Sequence, residues 1–253
     1  MPATTLDEVI AQLTAIIDRA RQEQSRLGYF AALYRLVTVS VKAGIQQGRF
    51  QDGARMERLD VAFANRYLTA LAAYQQGQPC SECWRVAFDA ASAWRPLILQ
   101  HLLLGMNAHI NFDLGIAAAT VAPGADLPGL QHDFNEINTI LAGLTNQVQE
   151  EIEAFSPWLW LLDKIGGRTD EAVIHFSINL ARDEAWRLAQ RLAPLPQTQW
   201  STVLNPLDRD IAALGRLIQH PGYLLSTGLL AIRLRESNDT RAVIESLSQA
   251  PAR

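Results

Sequence analysis

Residues 97–119 read LILQHLLLGMNAHINFDLGIAAA. The stretch is long enough for about six helical turns and carries no Lys or Arg. Its polar residues are Gln100, His101, Asn107, His109, Asn111 and Asp113. A helix this apolar on every side belongs inside a protein, and its buried polar atoms then need partners. The other elements are expected to wrap this helix and answer those atoms. Its length would also suit a membrane, but two His, two Asn and one Asp make insertion costly, so no transmembrane span is expected.

Helical spacing continues on both sides. Leu6, Ile10, Leu13, Ile16 and Ala20 share one face of a helix that the capping-box pair Thr5 and Glu8 should start. Tyr29–Gln47 is a second helix ended by Gly48, and Arg55–Gln76 a third. Ser81–Trp94 is short, and Pro96 then opens the central helix. Leu130–Phe155 follows a turn-rich loop. Further helices are expected from Ser156-Pro157 to Gly166, from Thr169 or Asp170 to Leu192, from Asn205 to His220, over 222–236, and from Asp239. No strand pattern persists. The expectation is an all-α, single-domain multi-helix bundle over 1–253, built around a buried central helix at about 97–119.

Composition narrows the function. The net charge of −4 offers no basic excess to phosphates, so no nucleic-acid partner is expected. MPATTLDEVIAQL is not the pattern of a signal peptide. The two cysteines, Cys80 and Cys83, are too few for a disulfide scaffold, and a cytoplasmic location is the default. Their C-x-x-C spacing lacks a βαβ context, which favours incidental thiols over redox chemistry.

Several polar constellations stand against this apolar background. His109 and Asp113, at i and i+4, lie about 40° apart on one helix face and suit either a metal ion or a mutual hydrogen bond. His101 borders the same side, and Asn107 with Asn111 forms a stripe roughly opposite. Asp133 sits at the edge of the apolar stripe of its helix, whereas His132 and Glu136 face away from it. Arg66 shares the apolar face of Leu59 and Phe63, and a core-facing Arg calls for an anionic partner; Asp113 and Asp133 are the candidates. His175, Asn179, Arg182 and Trp186 form another stripe, which reads as a pocket wall or as a half-exposed flank.

Two readings follow. In the first, His109, Asp113, Asp133 and His101 hold a divalent metal ion. Arg66, Asn107, Asn111, His175, Asn179 and Arg182 then bind an anionic, phosphoester-like small molecule for hydrolysis. In the second, the chain is a non-catalytic helical protein for an apolar or lipid-like ligand or a partner helix, using Trp158–Leu162 and Tyr223–Ile232. The sequence contains no G-x-G-x-x-G, Walker A, G-x-S-x-G or H-E-x-x-H motif, and no E-x-x-H of a di-iron bundle.

The segments MERLDVAFANRYLTA (56–70), WRPLILQHLLLGMNAHINFDLGIAAA (94–119) and FSINLARDEAWRLAQRLA (176–193) resemble a family of uncharacterised bacterial proteins, defined by a domain of unknown function. HLLLGMNAHINFDLG is its most distinctive motif here. The resemblance spans about 56–236, with helices 5–48 packed on it. It implies a compact helical protein and no particular reaction. The His132-Asp133 dipeptide is also similar to that of the helical HD-type phosphohydrolases, which implies His101 and Asp183 as companions.

Overall fold

The computed structural model describes residues 1–156 and 177–249, and for residues 145–149 and 223–224 the backbone alone. All regular structure among the described residues is helical. In chain order the helices are α1 (Leu6–Glu23), α2 (Leu27–Gln46), α3 (Gly53–Gln75), α4 (Glu82–Ser92), α5 (Ile98–Val121), α6 (Leu127–Phe155), α7 (Ile178–Leu192), α8 (Ser201–Gln219), α9 (Tyr223–Arg233) and α10 (Thr240–Leu247).

Side-chain chemistry explains where they start and stop. Thr5 accepts from the Glu8 N–H at 3.2 Å, while the Glu8 carboxylate takes the N–H of Thr4, so the capping pair closes one residue early. Asp52, Ser177 and Asp239 cap α3, α7 and α10 in the same way. Gly48 takes φ of +70° just after α2, a conformation that glycine adopts without strain. Because Ser177 is extended and opens α7, one helix does not run from Thr169 to Leu192. The expected start of that helix, the 156–166 helix and His175 lie outside the described residues. α8 begins four residues before Asn205, which leaves Pro206 inside its exposed second turn.

The central helix α5 is the hub. Its first half packs against α2, α4 and α8, and its second half against α3 and α7. It is the one helix among the described residues long and apolar enough to cross a membrane, and 83% of its apolar window is buried by the others. Phe30, Leu59, Tyr67, Trp84, Leu102, Leu114 and Phe134 bring residues from α2 through α6 into one core. Gly105 lets Phe30 approach: a Cβ there would fall 2.4 Å from its ring. In the middle of α5, His109–Leu114 widens into a π turn with i→i+5 bonding. Sequence periodicity shows no such turn, and it lies within the His109–Asp113 motif.

Tyr223–Ile232 contributes to core packing. Leu225, Leu229 and Ile232 are buried around Leu97, and Leu230 is exposed. Trp158–Leu162 lies outside the described residues.

Candidate functional site

The π turn points Asp113 at α3 and α4. Asp113 is 1% exposed and accepts from three elements. Arg66 Nε of α3 donates to Oδ1 at 2.6 Å. Trp84 Nε1 of α4 donates to Oδ2 at 2.7 Å. His109 Nδ1, from the same turn, lies 3.4 Å from Oδ2. Burial pushes the pKa of His109 down against the pull of Asp113, so the ring is neutral at pH 7 and the proton facing Oδ2 is its own.

An aromatic shell fixes this arrangement. The His109 ring stacks on Phe63 with centroids 3.5 Å apart, and Tyr34 meets its edge at 4.4 Å. Phe30, Tyr67 and Trp84 complete the enclosure. His109 Nε2 is buried without a hydrogen-bond partner among the described residues. Its Nδ1 therefore works inward on Asp113, while Nε2 is buried within the aromatic shell.

Above Asp113 lies a cavity of about 350 Å³ between α3 and the start of α4. Asn65, Arg66, Thr69, Ala70 and Ala73 form one wall; Pro79, Cys80, Ser81 and Trp84 form the other. Arg66 spans the two environments. Its Nε is held by Asp113, its side chain remains 33% exposed, and its guanidinium lies 5.6 Å from the Phe112 ring centre. Asn65 is occupied elsewhere, pairing through both amide atoms with the backbone of Ala3. The N–H groups of Glu82 and Cys83 at the start of α4 are taken by the Asp208 carboxylate. Burial pushes the thiols of Cys80 and Cys83 up, which opposes thiolate chemistry.

The expected metal ligands are not gathered into one group. His109 and Asp113 adjoin, but Asp133 accepts from the N–H groups of Gln51 and Asp52 at 2.7 and 2.9 Å and from Arg55. Burial would raise its pKa, yet those donors hold it below the usual carboxylate value. It ties α6 to the loop that starts α3. His101 precedes His109 by eight residues, about 12 Å along a helix, and lies against Tyr29. Among the described residues no three His, Cys, Asp or Glu are placed to hold a metal ion. The phosphohydrolase likeness also has no geometry behind it, since the His132 side chain is 61% exposed and Asp183 faces solvent.

Of the expected ligand-binding residues that the structure describes, Arg66 alone lines the cavity. Asn107 donates to the Ile211 carbonyl of α8 and accepts from Asn111, so this stripe holds two helices together. Arg182 is buried, bonded to Asn138 and to the Phe134 carbonyl, with its guanidinium 4.4 Å above the Phe134 ring; it staples α7 to α6. Asn179 is exposed. Periodicity missed Trp84, Thr69 and Ser81. For Trp84 one signal was available: an indole N–H on a short apolar helix needs an acceptor when buried.

The model of a family of unknown function (DUF5995) matches residues 6–221. The matched region takes in α1 and α2, which the sequence resemblance leaves outside, and ends before α9. It contains every residue of the Arg66–Asp113 cavity. No curated protein and no solved structure matches the chain.

Proposed function

We propose that this chain, which belongs to that family of unknown function, binds a negatively charged small molecule in the cavity between α3 and α4, with Arg66 as the recognition group. The observation that carries this reading is the state of Arg66. Its guanidinium is oriented through Nε by a buried carboxylate, and the residue lines the cavity with a third of its side chain exposed. A guanidinium held in this way has lost its rotational freedom before any ligand arrives, which lowers the cost of binding. The volume lies at the lower end of the 300–1,000 Å³ usual for ligand sites.

Metal-dependent phosphoester hydrolysis is a narrower reading of the same site, and the geometry lends it less support. Asp113 already accepts from three donors, one of them cationic, so a metal ion coordinated there would lie against the charge of Arg66.

Thermal melting with a panel of anionic and neutral small molecules tests the proposal. Anions should raise the melting temperature of the wild-type chain, since a ligand that binds only the folded state stabilises it. Arg66→Met should remove that response, and dialysis against a chelator should leave it intact. The substitution should itself cost about 1–3 kcal/mol. That is less than the 3–5 typical of breaking a fully buried pair, because Arg66 is one-third exposed. Equal stabilisation of wild type and Arg66→Met by anions would defeat the proposal.

A further inference from the structure

Resting on the anion reading of this cavity, we infer that its ligand is a monoanion, a carboxylate on a compact apolar body. Three observations lead there. First, the Arg66 Nε is spent on Asp113, and among the described residues no other acceptor takes the guanidinium. What remains is the Nη1–Nη2 edge, a planar two-donor fork that matches the two oxygens of a carboxylate.

Second, the cavity supplies one positive charge and already contains a negative one. Asp113 lies 2.6 Å from Arg66 Nε, so a second charge on the ligand would be repelled. The usual supplement for phosphate, the free N–H groups of a helix start, is missing, because Asp208 occupies those of α4. Third, the rest of the lining is apolar or weakly polar. Trp84 gives its N–H to Asp113, which leaves it no free donor for a ligand, and it lines the cavity alongside Ala70, Ala73 and Pro79. Such walls suit a short alkyl or aryl body and offer a sugar or nucleoside few partners.

The experiment is calorimetric titration of the full chain with benzoate, phenyl phosphate and benzamide. Benzoate should bind with an affinity that stays constant from pH 6 to 8. Phenyl phosphate passes from monoanion to dianion near pH 6, so its affinity should fall several-fold across the same range. Benzamide, isosteric but neutral, should bind at least roughly tenfold more weakly than benzoate, the scale of one charge-assisted hydrogen bond. Ala73→Trp fills the wall without touching the Arg66–Asp113 pair. It should keep the wild-type melting temperature and lose benzoate binding by at least roughly tenfold.

Phenyl phosphate binding that tightens as pH rises would overturn the monoanion class and leave the anion reading standing. Silence from benzoate up to about 10 mM, beyond the range of a millimolar site, would overturn the carboxylate assignment. If phenyl phosphate were silent as well, the anion reading would fall too. Benzamide binding as tightly as benzoate would overturn both, and unchanged benzoate binding by Ala73→Trp would place the ligand outside this cavity and overturn the inference.

Discussion

Asp113 shows how much one buried carboxylate can organise. Its two oxygens meet Arg66 Nε on one side, and Trp84 Nε1 with His109 Nδ1 on the other. Every neighbour is a donor, so the site needs an acceptor on both oxygens. Asp113→Asn keeps the shape and breaks that logic. Whichever way the amide turns, its NH2 faces a donor, and a buried donor is left unpaired. The substitution should destabilise the fold by about 3 kcal/mol, as measured by urea unfolding. Stability within a few tenths of a kcal/mol of wild type would mean that the three donors find other acceptors.

The π turn and the small residues around it act at the scale of elements. Gly115 ends the turn where α7 crosses. A Cβ there would lie 2.5 Å from the Ala185 carbonyl oxygen, a backbone atom that cannot swing aside. Gly143, on the exposed side of α6, has nothing among the described residues within 4 Å of a Cβ. Gly115→Ala should therefore cost about 1–3 kcal/mol through overpacking, whereas Gly143→Ala should stabilise by about 0.5–1 kcal/mol through helix propensity. Denaturant midpoints of the two variants should move in opposite directions; a shared direction would contradict the crossing of α5 and α7 described above. The same elements show what the sequence carried. The buried central helix, the caps at Thr5 and Asp239 and the need of Arg66 for a carboxylate follow from local patterns: periodicity, turn chemistry, and a charge on an apolar stripe; those patterns leave both Asp113 and Asp133 as partners, and the fold selects Asp113. The π turn does not, because His109 and Asp113 keep i, i+4 spacing in either kind of turn. The cap that Asp208 places on α4 and the anchoring of Asn107 to Ile211 join residues more than one hundred positions apart. No helical wheel relates such residues, so Asn107 reads as a ligand-binding residue until α8 is seen beside it.

At the scale of the whole molecule, two buried titratable groups pull stability in opposite directions with pH. Asp60 on α3 is 6% exposed, its Oδ2 has no hydrogen-bond partner among the described residues, and burial raises its pKa to about 7. Below about pH 3 it is protonated in both the folded and unfolded chain and costs nothing. As pH rises toward 7 the unfolded chain releases this proton first, so stability falls, and the loss levels off at about 4 kcal/mol. His101 behaves in the opposite sense. Burial, reinforced by the charges of Arg26 and Arg233, depresses its pKa to about 3. Between pH 6.5 and 3 the unfolded chain takes up a proton that the folded chain refuses, so stability is lost as pH falls, by about 5 kcal/mol in all. From about pH 4 to 6.5 the two slopes nearly cancel, and their sum is flat in the wild-type chain. Single substitutions should expose each slope. Asp60→Asn should be indistinguishable from wild type near pH 3 and more stable by several kcal/mol at pH 8. His101→Phe keeps an aromatic ring against Tyr29 and should gain stability over wild type as pH falls below 6. Chemical denaturation at closely spaced pH values measures both differences. A stability difference between Asp60→Asn and wild type that did not grow with pH would mean that Asp60 is already ionised and solvated in the folded protein.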